Sequence, residues 1–161
     1  MEHPGYGKMF SAGAEHNLAL SFLMLPSDLP ELDRMCTKFP ETPIIIDHFC
    51  LIGRNMMFVE EEIDQLLKMA RHKKVMLKIG AFYAFGQKTP PYLDMLPLIE
   101  RVVDAFGPER CMFESNFPVD KVSFSYNVMY NAFKRLSKDY SASERAAMFH
   151  DTAARVYKID V

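Results

Sequence analysis

Four short apolar runs, each followed by an amphipathic stretch, set the tightest limit on how this chain can fold. The runs occupy residues 18–25, 43–48, 75–80 and 111–116. They are mostly Leu, Ile, Val, Met and Phe, without the polar alternation of a strand that has one wet face. They therefore read as strands buried on both sides. Between them, apolar residues recur at helical spacing. A helix over 27–38 starts at Ser27-Asp28 and stops before Pro40. One over 59–72 opens on Glu60, Glu61 and Glu62 and ends basic, matching the helix dipole. One over 91–106 is closed by Gly107-Pro108, one covers 120–138, and the last starts at Ser141, spaced from Glu144 as a capping box. Strands about 25 to 35 residues apart, each followed by a helix, make βαβ units and a parallel sheet.

Residues 1–161 are thus predicted to form a single α/β domain, long enough to bury a core. Four open parallel strands leave two bare edges, and the chain begins on a helix-like stretch rather than a strand. The pattern therefore reads as a piece of a larger fold. With 19 Lys and Arg against 21 Asp and Glu, the net charge of −2 argues against nucleic acid as a partner. No apolar run approaches the roughly 18 residues that span a bilayer, and residues 1–17 lack the apolar segment of a signal peptide. A cytoplasmic protein without membrane contact is expected. Cys36, Cys50 and Cys111 show no CxxC spacing and read as buried, reduced thiols. The basic run Arg71-His72-Lys73-Lys74 sits where a helix should end and is expected to complement its dipole.

Three blocks and a tail carry a resemblance. Phe39-Pro-Glu-Thr-Pro-Ile-Ile-Ile-Asp-His48 is similar to a strand written fP…pivlDH, Val75-Met-Leu-Lys78 to vyvKlS, and residues 106–118 to fGpdRlmwGSDwP. Thr152-Ala-Ala-Arg-Val-Tyr157 resembles the closing helix that goes with them. In this order they resemble the amidohydrolase-related family of TIM-barrel hydrolases and decarboxylases. The resemblance implies a partial (β/α)8 barrel: strands five to eight with their helices, the C-terminal half. The family's first strand carries paired metal-binding histidines, and no HxH motif occurs here.

In a barrel, the C-terminal ends of the strands form the catalytic face. His48 ends a run directly before a loop, as a structural histidine or as a donor to a substrate carbonyl. By strand parity Ile44, Ile46 and His48 share one face, expected to point into the barrel, with Asp47 turned toward the helices. Asn116 stands where the family has Asp, a metal ligand or general base in relatives; an amide takes no proton and ligates zinc poorly. Glu114, two residues earlier, either supplies the missing carboxylate or is a buried structural acid. Lys78 is either paired inside the barrel or snorkels outward. Tyr83 and Phe82 either line a substrate pocket or pack a loop, and Arg54 is a further candidate for binding a carboxylate-bearing substrate. No metal site and no cofactor are expected in this chain, although family members use zinc.

The resemblance implies hydrolysis of a lactone or similar cyclic carbonyl compound in the completed barrel. His48, Asn116 and Glu114 would be the catalytic residues, and Lys78, Tyr83, Phe82 and Arg54 would bind substrate. The chain alone, as a fragment, would be inactive. Its expected partners are a small-molecule substrate and either the missing barrel half or a second copy. A metal-dependent decarboxylase of aromatic or muconate-type acids, and a non-catalytic half-barrel acting as an association module, are the alternatives.

Overall fold

The computed structural model describes residues 1–122 and 125–160. Among them, four strands form one parallel sheet in chain order: β1 (Leu20–Phe22), β2 (Ile44–Ile46), β3 (Val75–Gly80) and β4 (Cys111–Glu114). A helix α1 (Pro4–Glu15) precedes β1, and α2 (Leu29–Lys38), α3 (Glu60–Lys68) and α4 (Leu96–Phe106) carry the three crossovers. After β4 come α5 (Tyr126–Leu136), α6 (Ala142–Ala146), a π turn (Ala147–Asp151) and α7 (Thr152–Tyr157). The α/β expectation holds, with the four strands at the four apolar runs.

Local chemistry explains the boundaries. Asp28 accepts from the Leu25 N–H at 3.2 Å, a single 3-10 turn later than a simple cap at Ser27 would place the helix start. The capping box forms: Ser141 Oγ accepts from Glu144 N–H at 3.3 Å, and Glu144 accepts from Ser141 N–H at 2.8 Å. Gly107, with φ 82, ends α4 in a conformation that side chains avoid. The helix expected over 91–106 begins only at Leu96, because Tyr92 adopts φ 57. The one expected over 120–138 begins at Tyr126, after a short turn Val119–Val122; positions 123 and 124 of that expectation lie outside the described residues. His3 caps α1 by accepting from Gly5 N–H at 3.1 Å.

The faces of the sheet correct the parity expectation. Ile44, Ile46, Val75, Leu77, Ile79 and Cys111 belong to the main core with Leu32, Leu66, Leu98 and Val102 of the helices. On the opposite face Ile45, Met76 and Met112 form a separate small cluster with Ala19, Ala153 and Val156. Ile44 and Ile46 therefore face the helices, and Asp47 follows Ile45 on the other side. The expectation failed because it treated His48 as the last residue of an unbroken strand, whereas pairing stops at Ile46.

The closing helix passes under the foot of β4. Phe149 packs on Phe113 on the helix side, with ring centroids 5.5 Å apart. Thr152 and Arg155 then donate to the Pro108 and Glu109 carbonyls, and Ala153 and Val156 reach the other face. The three cysteines are buried and unbridged, and desolvation pushes each thiol up to about 12, so all three are inert as nucleophiles. No helix of the described residues is long and apolar enough to cross a membrane.

Candidate active site

At the C-terminal ends of the strands, the open face changes from apolar to charged within one pleat. Above Ile45 stands Asp47, above Met76 stands Lys78, and above Met112 stands Glu114. The three are joined across the strands. Ser21 of β1 donates its Oγ–H to Asp47 at 2.9 Å, and Lys78 Nζ lies 2.9 Å from Asp47 Oδ1 and 3.7 Å from Glu114 Oε2. The other oxygen of Glu114 lies against Nδ1 of His48, in contact but without hydrogen-bond geometry. One polar chain thus runs Ser21, Asp47, Lys78, Glu114, His48 across all four strands. The side chains of His48, Asp47, Glu114 and Lys78 are 12%, 16%, 18% and 20% exposed, so water screens these charges weakly.

His48 reaches this face through an unusual backbone. Asp47 N–H still bonds to Phe22 O at 3.0 Å, and the chain then coils left-handed: His48, Phe49, Cys50 and Leu51 have φ of 51, 52, 56 and 58. Left-handed backbone costs an L-residue roughly 1–2 kcal/mol, and strain of this kind persists only where packing enforces it. Phe49 and Cys50 are both fully buried and supply that packing. Gly80 does comparable work for Glu114: a Cβ there would run into the Glu114 carbonyl oxygen and Cγ, so only glycine lets β4 carry its carboxylate so close to β3.

Burial works against the charge of Lys78, but the Asp47 hydrogen bond and the Glu114 and Asp47 charges outweigh it, and the ammonium is held well above its ordinary value. Lys78 is accordingly a fixed cation between two carboxylates. Asn116, at φ 64, donates Nδ2–H to Tyr83 Oη at 2.7 Å. Desolvation pushes the Tyr83 phenol up; the Asn116 bond lowers it in part, and the charges of Asp120 and Glu114 raise it further. The phenol therefore stays protonated and available as a donor.

The fold brings together His48, Glu114 and Lys78, and separately pairs Asn116 with Tyr83. It does not bring in Phe82 or Arg54. Phe82 has no exposed surface and packs against Phe49, Tyr92 and Phe133 in the main core. Arg54 is exposed on the loop after β2, where it lines a shallow hollow with Ser27 and Glu62. Sequence reasoning missed Ser21 and Asp47, whose roles depend on the register of β1 with β2. It also missed Asp120, which is wholly buried with neither carboxylate oxygen hydrogen-bonded among the described residues. An acid three residues past Phe117, just beyond the C-terminal end of β4, was the available signal.

Among the described residues, no three His, Cys, Asp or Glu side chains are grouped so as to hold a metal ion. The donor set explains why. His48 Nδ1 and Glu114 meet each other, Asp47 is taken by Lys78, and Asn116 presents an amide. These residues do not by themselves fit zinc, which favours nitrogen, sulfur and carboxylate ligands in tetrahedral array.

Comparison with known proteins gives this geometry a setting. A family model described as Amidohydrolase matches residues 2–159. The uncharacterized protein y4mH of Sinorhizobium fredii is 33% identical over 155 residues, which is 96% of this chain and 50% of that protein. An L-fucono-1,5-lactonase of Burkholderia ambifaria is 26% identical over 154 residues, 90% of this chain and 51% of its own length. The crystal structure of an amidohydrolase from Burkholderia multivorans with bound HEPES superposes with a TM-score of 0.82 at 22% identity, covering 94% of this chain and 56% of that one. The chain spans about half the length of the curated relatives it matches. Its four βα units have the fold of part of an amidohydrolase barrel.

Proposed function

Because this chain belongs to the amidohydrolase family, we propose that it supplies the C-terminal half of a barrel that hydrolyses a lactone or similar cyclic ester. The observation that carries the reading is the contact between His48 Nδ1 and Glu114 Oε1 at the mouth of the strands. The two atoms touch without hydrogen-bond geometry; a small rotation of the imidazole would let Nδ1–H donate to the carboxylate, which would fix the tautomer and leave Nε2 to take a proton. Water adds to the ester carbonyl carbon while its proton passes to His48 Nε2, and the Glu114 carboxylate stabilises the imidazolium. When the ring C–O bond breaks, the leaving alkoxide takes that proton back, giving the open hydroxy acid. Asn116 and Tyr83 serve the oxygen side. Tyr83 Oη accepts from Asn116, so its own O–H is free to donate to the developing oxyanion, as is the second amide N–H of Asn116. Lys78, held by Asp47, keeps a positive charge beside Glu114 and acts as a positioning residue.

The L-fucono-1,5-lactonase relative supports a lactone substrate. The rest of the mouth would come from four further βα units, as the missing half of the barrel or a second copy of this one. The three inert thiols suit a reducing compartment, and the cytoplasm is the location proposed.

The test is a panel of sugar and aromatic lactones assayed with the full-length protein and with His48→Ala, Glu114→Gln and Asn116→Ala. General-base catalysis contributes roughly 10²–10⁴-fold, so His48→Ala is expected to lower kcat/KM by at least about a hundredfold. Glu114→Gln should lose somewhat less. Changes within about twofold for both, only ~0.4 kcal/mol, would overturn the assignment.

A further inference from the structure

Every charged group of the polar chain at the mouth has a partner of opposite sign, or an imidazole; the other end of the strands is different. A cavity of about 230 Å³ opens beneath the feet of the strands, lined by Lys73, Lys74, Arg110, Arg155, Lys158 and Asn17. No carboxylate lines it. Among the described residues, none of these five cations is in an ion pair, in a chain with 21 acidic residues and a net charge of −2. The two arginines are anchored by neutral groups. Arg110 donates to the carbonyls of Phe106, Ala70 and His72 at 2.7, 3.0 and 3.1 Å, and Arg155 donates to the Glu109 carbonyl. Such bonds orient a guanidinium and leave its charge uncompensated.

The basic run of the sequence is therefore divided between two tasks. Arg71 and His72 bind Asp33 on the helix side. Lys73 and Lys74 follow the last turn after α3 and stand at the foot of β3, where both line the cavity. The closing helix adds Arg155 and Lys158 from the opposite wall. Five like charges gathered round one concave space repel each other, and a compact anion would relieve that repulsion. The space is too small for a nucleic-acid strand. The dense charge it could balance is that of phosphate, which lysine meets as a point charge and arginine through its planar fork. Met76 also lines the cavity, and Gly80, opposite Glu114, stands four residues further along β3; at about 3.3 Å per residue the cavity is roughly 13 Å below that carboxylate, on the far side of Lys78 from the mouth.

We propose that the cavity under the strands binds a small molecule bearing two or more phosphate groups. The probe is pyrophosphate, titrated calorimetrically into the full chain at a fixed ionic strength of about 0.15 M, where general screening is constant. Saturable binding near one equivalent is expected. The paired reversal Lys74→Glu with Lys158→Glu should weaken it by more than about tenfold, whereas Lys8→Glu with Lys134→Glu, elsewhere on the surface, should leave it unchanged. Should the first pair fail to fold, Lys74→Gln with Lys158→Gln, judged by circular dichroism, replaces it. No saturable heat with the wild-type chain would overturn the proposal. So would equal weakening by both reversals, which would mark a diffuse charge effect. Citrate is the second arm: binding as tight as pyrophosphate would assign the cavity to polycarboxylates and overturn the phosphate assignment.

Discussion

On the helix side of the sheet, Ile44, Ile46, Val75, Leu77 and Ile79 run without interruption into the apolar faces of α2, α3 and α4. On the open side the apolar layer is three residues deep across the sheet, Ile45, Met76 and Met112, and one pleat further it gives way to Asp47, Lys78 and Glu114. The same strands thus answer to two demands. Where both neighbours are hydrocarbon, any well-packed apolar residue serves. Where the strand ends open onto a shared space, buried charges are tolerated because each is matched by the strand beside it. Polar residues that interrupt a doubly buried strand on one face only, at one end only, single out a candidate site.

The comparison is open to breakage at its strongest point, the difference in packing. Ile46→Ala removes a fully buried side chain from the main core and is expected to cost about 2–5 kcal/mol. Met76→Ala, in the small cluster at 6% exposure, should cost near or below the bottom of that range, because the cavity it leaves can collapse toward the open side. Urea midpoints of the two variants decide it; equal losses would make the open face as much core as the other.

A smaller effect sharpens the electrostatic half. Lys78→Met strips two partly buried carboxylates of their cation and should cost about 1–3 kcal/mol, with Lys78→Arg retaining most of the stability. Because the folded state holds Lys78 above its ordinary value, the wild-type contribution is complete at neutral pH and is lost only as pH rises through that elevated range. A thermal scan between pH 6 and pH 8 should therefore show a constant gap between wild type and Lys78→Met. A gap that vanishes at neutral pH would mean the network is solvated and idle.

The smallest expected effect lies at the outer side of α2, at Asp33. Burial would raise Asp33, but hydrogen bonds to His72 and Arg71 lower it on balance. Its folded value being depressed, it stabilises above the ordinary carboxylate range and the contribution fades as pH falls through the folded value. Asp33→Asn should lose about 1 kcal/mol at neutral pH and show a flatter stability curve below roughly pH 4. An unchanged acid limb would show that this surface cluster contributes nothing to the comparison.

The four strands were legible because a doubly buried strand is an apolar run, and Pro and Gly punctuate what lies between. Their facing was not, because parity holds only while the chain stays extended; it was carried through Asp47 to His48, two residues beyond the pairing. Glu114, Lys78 and His48 could be picked out singly from their positions at strand ends. Their union could not, since it depends on register: Gly80 opposite Glu114, Ser21 opposite Ile45. Phe82 and Tyr83 are neighbours in one loop, yet one is core and the other faces Asn116, a division that no local pattern announces.

The left-handed coil from His48 to Leu51 bears on how this protein can drift over generations. A change to glycine at Phe49 or Cys50 would ease the backbone and empty the core; a β-branched replacement would fill the core and worsen the backbone. The two pressures act on the same atoms, so the accessible substitutions are few, and a lineage is more apt to vary around this turn than within it. That leaves room to change elsewhere at the mouth while His48 keeps its aim. In such a lineage, variation at the mouth would fall on Glu114, Asn116 and the loops rather than on the turn.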